Sequence, residues 1–151
     1  MQRAFKDRWL DGAFLVAHLA DAKELDCSTL GWGDDEARRL AAALEHATAQ
    51  GALKALETLD LSNSYDTPEA SKNKIGDEGV RHLGDALARG VAPALTTLDL
   101  RNNEIGDEGM RHLGDALARG AAPALKRLNL YRNPASDAAQ QAVKDALKNR
   151  K

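Results

Sequence analysis

The sequence predicts an α/β solenoid in which about four parallel strands form one face and helices the other. Three observations carry that expectation. A stretch of the 151-residue chain over 75–95 recurs over 105–125 with all but two positions identical, and self-similarity at about thirty residues marks a solenoid, propeller or array. Each copy joins a short alternating apolar run to a longer stretch with helical periodicity. The apolar set is mostly Leu and Ala, with only two Trp, two Tyr and two Phe, which suits thin repeated layers better than one bulky core.

The strand part reads Leu95-x-x-Leu98-x-Leu100-x-x-Asn103, and again Leu125-x-x-Leu128-x-Leu130-x-x-Asn133. Alternation sends Leu98 and Leu100 to one side and Thr97, Asp99 and Arg101 to the other. In the helical part Met110, Leu113, Ala116 and Leu117 form one apolar stripe. Asp107 is placed as its N-cap, with Glu108 in the first turn, and Gly120 and Pro123 end it. A lone unit cannot cover its apolar faces, so copies stack. Helices are about 10 Å wide and strands about 4.8 Å apart, so the sheet falls on the inside of a curve.

Two less regular copies precede these. Leu56-x-x-Leu59-x-Leu61 rejoins the template only at Lys72-Asn73-Lys74-Ile75-Gly76, leaving an insertion over 62–70; earlier, Leu25-Asp26-Cys27 aligns with Leu98-Asp99-Leu100. The L-x-x-L-x-L-x-x-N run followed by Ile-Gly-Asp-Glu-Gly and a full helix resembles the ribonuclease-inhibitor class of leucine-rich repeat over roughly 25–148. Similar repeats occur in ribonuclease inhibitor, Ran GTPase-activating proteins and NOD-like receptors. The resemblance implies a curved solenoid that binds proteins. The chain departs from that class in its small repeat number, in the insertion, and in Leu30 standing where the first asparagine belongs.

The division expected for this single domain is an N-terminal helical cap over 1–23, repeats over 24–134 and a closing helix over 135–151. Phe5, Trp9, Phe14 and Trp32 all precede residue 33; they suit either sealing of an open end or docking into a larger complex. Ser136 is placed as the cap of a last helix with Ala139, Val143 and Leu147 on its apolar side and Lys148, Arg150 and Lys151 near its end.

With 21 basic and 23 acidic residues the net charge is −2, which favours neither a nucleic-acid backbone nor an anionic membrane. No apolar run reaches the roughly 18 residues of a membrane span, and no signal peptide is evident. Cys27 is the single cysteine, consistent with a cytoplasmic or other intracellular setting.

Nothing in the sequence carries a catalytic, cofactor or metal signature. His82 and His112 are repeat equivalents expected on helix surfaces. Arg81, Asp85 and Arg89, like Arg111, Asp115 and Arg119, are spaced for i,i+4 ion pairs. Asn73, Asn103 and Asn133 are expected to turn inward onto strand-exit backbone. Gly84 and Gly114 are expected to let helices approach.

The residues expected to meet a protein partner lie on the concave face: Asp26, Thr58, Asp60, Thr97, Asp99, Arg101, Arg127, Asn129, Tyr131 and Arg132. An acidic column would grade there into a basic, aromatic end. The Asp column itself either receives a partner's cations or bonds along the sheet. Tyr65, Asp66 and Thr67 in the insertion form a rim loop beside that face. A non-catalytic binding module is the first expectation. A small accessory subunit docked through the aromatic N-terminus, and a GTPase regulator by fold analogy, are alternatives.

Overall fold

The computed structural model describes residues 7–150; Phe5 and Lys151 lie outside it. Strands β1 (Glu24–Asp26), β2 (Thr58–Asp60), β3 (Thr97–Asp99) and β4 (Arg127–Asn129) form one parallel sheet in chain order. Their register sets Asp26, Asp60, Asp99 and Asn129 side by side, with Leu25, Leu59, Leu98 and Leu128 in the row behind them. Helices α1 (Gly12–His18), α2 (Asp34–Ala49), α3 (Asp77–Ala88), α4 (Asp107–Ala118) and α5 (Asp137–Asn149) make the other layer. The core between the layers is mostly leucine and alanine, as the strand and helix stripes predict.

Two side-chain ladders couple neighbouring repeats, and they run in opposite directions. The asparagine ladder points backwards. Asn73 Oδ1 accepts the Leu30 and Trp32 N–H groups at 3.1 and 2.8 Å, while its amide donates to the Cys27 and Leu61 carbonyls. Asn103 likewise takes the Ile75 N–H and donates to Leu61, and Asn133 takes Ile105 and donates to Leu100. Each asparagine thus satisfies backbone of the repeat before it, where an orphaned buried group would be costly. Among the described residues no strand precedes β1, and at the first repeat the asparagine's place is taken by Leu30, which is apolar and buried.

The aspartate ladder points forwards. Asp107 is not the N-cap of α4; that position belongs to Gly106, and Asp107 is the first helical residue. Its carboxylate reaches the next repeat, accepting the Ser136 N–H at 2.7 Å. Asp34 accepts from Gly76 and Gly79 in the same way, and Asp77 from Gly106. The starts of α3, α4 and α5 therefore have exposed N–H groups answered from the unit before. This fixes the second glycine of Ile-Gly-Asp-Glu-Gly: a Cβ on Gly79 would sit 2.7 Å from Asp34 Oδ1, and one on Gly109 2.7 Å from Asp77 Oδ1. A Cβ on Gly84 would stand 3.4 Å from Ala116 Cβ, and one on Gly114 3.8 Å from Val143.

At the first end, a 3-10 turn (Asp7–Leu10) and α1 lie against the first repeat, with Trp9, Leu15 and Trp32 in the core. Asp7 Oδ1 accepts the Trp32 indole N–H at 3.1 Å. At the last end Ser136 caps α5, its Oγ accepting from Ala139 N–H, and Val143 is buried. Arg150 is the C-cap residue of α5, and its side chain turns to the chain leaving α4. It donates to the Ala121 and Ala122 carbonyls, and burial pulls its guanidinium below the usual arginine value.

On the helix surfaces the stronger ion pairs are at i,i+3, not i,i+4. Arg81 meets Glu78 at 2.7 Å and Asp85 only at 3.8 Å, and Arg89 crosses to Glu45 of α2 at 2.8 Å instead of pairing with Asp85.

Candidate functional site

The strand exits give the concave face its form. Asp26, Asp60 and Asp99 each accept, through Oδ1, the N–H two residues on, at 3.0, 2.9 and 3.1 Å, and Asn129 does the same for Tyr131. The column is therefore tied to its own chain, as in the side-chain turns that Asx residues favour. Arg101 adds a guanidinium contact to Asp99 at 3.0 Å. One residue further on, Thr29, Asn102 and Arg132 take positive φ values of 52°, 57° and 60°. Asn63, at the equivalent place in the second repeat, does not, and there the chain leaves the template.

Ser62 and Asn63 are buried and keep their ladder bonds, so the projecting part of the insertion begins at Ser64. Asn63 and Asn102 each donate to the other's carbonyl at 2.6 Å, fixing the base of the loop. Within the loop, Thr67 Oγ1 accepts the Ser64 N–H at 2.9 Å and Asp66 Oδ1 accepts the Ser64 hydroxyl at 3.0 Å. Beyond it, Glu69 meets Lys74 at 2.8 Å; the Lys74 ammonium lowers the Glu69 pKa, and Glu69 raises that of Lys74.

This geometry carries Tyr65 across to the end of the sheet. The Arg132 guanidinium lies over both the Tyr65 ring, at 5.6 Å, and the Tyr131 ring, at 5.4 Å, within the range of cation–π attraction. Tyr65 and Tyr131 are 83% and 63% exposed, the large hydrophobics left in solvent among the described residues. Beside them is a cavity of about 440 Å³ whose walls include Ser28, Ser62, Asn102 and Arg101.

Of the residues singled out from sequence, Tyr65, Arg101, Tyr131 and Arg132 meet at this cavity. Thr97, Asp99, Arg127, Asn129 and again Tyr131 line a second depression, of about 470 Å³, at the β4 side. Asp26, Thr58 and Asp60 line neither, and Asp66 and Thr67 are engaged within their own loop. Sequence reasoning missed Ser28, Asn63 and Asn102; the one available signal was that Asn102 shares its repeat position with Asn63.

Comparison with known proteins agrees with this architecture. A family model described as leucine rich repeat matches residues 71–84 and 92–114, and the fold is that of a leucine-rich-repeat protein. Among solved structures, the actin-binding site 2 of leiomodin-1 is similar with a TM-score of 0.66 and 15% identity, covering 92% of this chain and 71% of that one. The C-terminal domain of Caenorhabditis elegans tropomodulin is similar with a TM-score of 0.60 and 14% identity, covering 95% and 91%. At such identities the likeness is one of fold. No curated protein matches in sequence. Among the described residues no helix is long and apolar enough to cross a membrane.

Proposed function

We propose that this chain is a non-catalytic protein-binding module of the ribonuclease-inhibitor-like repeat class, engaging its partner through the rim where the insertion meets the concave sheet. One observation carries the reading: Tyr65, Arg132 and Tyr131, from two separate segments, form a single exposed aromatic and cationic cluster beside a cavity. Exposed aromatics and arginine are the residues that dominate protein interfaces, and rigid scaffolds commonly recognise partners through such loops. The concave residues Thr97, Asp99, Arg101, Arg127 and Asn129 extend the surface. Asp26 and Asp60 serve the strand exits.

The N-terminal segment is read as a cap. Trp9 is spent on the chain's own core, which leaves the docking alternative without that aromatic. The likeness to an actin-binding site makes actin the first partner to try, by cosedimentation. The general test is affinity capture from the native source with the wild-type chain and with Tyr65→Ala plus Arg132→Asn, the asparagine chosen because it tolerates positive φ. Loss of the captured partner supports the rim; undiminished capture by a folded variant removes it.

A further inference from the structure

The backbone ladder of the sheet is regular enough to show what is missing at its last edge. The Lys23 carbonyl accepts the Glu57 and Thr58 N–H groups, Glu57 accepts those of Thr96 and Thr97, and Thr96 those of Lys126 and Arg127. At the other end of each strand, Cys27 N–H donates to Asp60, Leu61 to Asp99 and Leu100 to Asn129. The next members of the two series are the Lys126 carbonyl and the Leu130 N–H. Among the described residues no strand follows β4 to take them. The apolar row shows the same incompleteness: Leu25, Leu59 and Leu98 are buried, whereas Leu128 is only partly covered.

Charge supplies the occupant. Lys126, Arg127, Lys144 and Leu128 all line the depression of about 470 Å³ at this edge. Among the described residues none of the three cations has a carboxylate partner, although most arginines on the helix surfaces do. In the same rows the inner strands carry Glu57 and Thr96 beside Lys126, and Thr58 and Thr97 beside Arg127.

We propose that the outer edge of β4 accepts an extended acidic segment of a partner protein as a fifth parallel strand. Its backbone would take up the Lys126 carbonyl and the Leu130 N–H, as in other strand additions to an open sheet edge. By the register of the existing pairs, an apolar residue of the segment lies beside Leu128, and acidic residues flank it opposite Arg127 and Asn129, with Lys126 and Lys144 in the walls of the same depression. A second copy of this chain is the poorer occupant. Its β1 carries the matching Glu24-Leu25-Asp26, but Leu25, Leu15 and Trp32 are fully buried at that end, and stacking would have to uncover them. The site shares only Tyr131 with the rim cavity, but Thr97, Asp99, Arg127 and Asn129 with the concave surface that extends it; Tyr65 and Arg132 belong to the rim alone.

The test uses the full chain and a fluorescent peptide of about six residues, a common strand length, in which glutamate alternates with valine. Fluorescence anisotropy should show binding that weakens about tenfold for Arg127→Glu plus Lys144→Glu, both exposed substitutions, with the thermal midpoint unchanged. It should fall as far for the same peptide with alternate amides N-methylated, and for a lysine-for-glutamate peptide. Tyr65→Ala with Arg132→Asn should leave it intact, so that failure of the rim reading is separable. Absence of binding, or binding indifferent to N-methylation, overturns the proposal. So does sedimentation showing self-association that the charge reversals abolish, since the occupant is then a second copy.

Discussion

The two ends of the sheet are finished differently. At β1, two tryptophans and Leu15 are folded into the core and an indole N–H is answered by Asp7. At β4, the strand leucine is only partly buried, Lys126, Arg127 and Lys144 have no carboxylate partner among the described residues, and two tyrosines stand in solvent around Arg132. A solenoid must seal its terminal faces to remain soluble, and α5 with Arg150 does so for the helical layer only. Under the proposed function, the contrast assigns stability to the first end and recognition to the last.

Substitutions at the two ends should therefore differ in kind. The largest effect is expected at Trp32. Its truncation to alanine empties the sealed end and should cost about 3–5 kcal/mol, read as a fall in the denaturation midpoint; a loss under about 1 kcal/mol would mean that this end is not sealed by packing. Next is Asn73→Ala. Its amide satisfies four backbone groups of which several are left buried and unpaired, at roughly 1–3 kcal/mol for each, so a loss of about 3 kcal/mol is expected from the same measurement. The direct comparison is Leu98→Ala against Leu128→Ala. The first should cost about 2–5 kcal/mol, and the second about half as much because its side chain is already part-solvated; equal losses would erase the difference between inner and outer strands.

The smallest effect is at the insertion. Glu69 is lowered by Lys74, so its share of the contact is present above the ordinary carboxylate range and is lost as pH falls through the lowered value. Lys74 is raised by Glu69, so its share is present below the ordinary lysine value and is lost as pH rises through the raised one. The pair should hold through neutral pH and weaken in acid and in strong base. Lys74→Met should raise the Glu69 titration, followed by carboxyl NMR, toward the usual range, with Lys72 still holding it somewhat below, and with little change in global stability because the pair is exposed.

Much of the fold was legible because the same physical problem is solved repeatedly. Leu98 and Leu128 in one row, and Met110 to Leu117 in one stripe, announce a strand and a helix twice over. What the pattern hid is direction. Asn103 and Asp107 are close in sequence, yet the first serves the repeat before and the second the repeat after, and spacing within one unit contains no trace of that. Asp107 looked like a local cap for this reason. The site was less legible than the fold. Tyr131 and Arg132 stand at repeat positions, but the insertion has no counterpart in the other units, so the passage of Tyr65 to Arg132 depends on Asn63 and Asn102 locking the loop base, a contact made only on folding.

The account turns on where a partner lands. Hydrogen–deuterium exchange of the chain alone and with its captured partner bound tests this most directly. Slowed exchange over 64–70 and 126–132, with 7–32 unchanged, is the predicted result. Protection centred on 7–32, with the loop and β4 unaffected, would contradict it and return recognition to the N-terminal end.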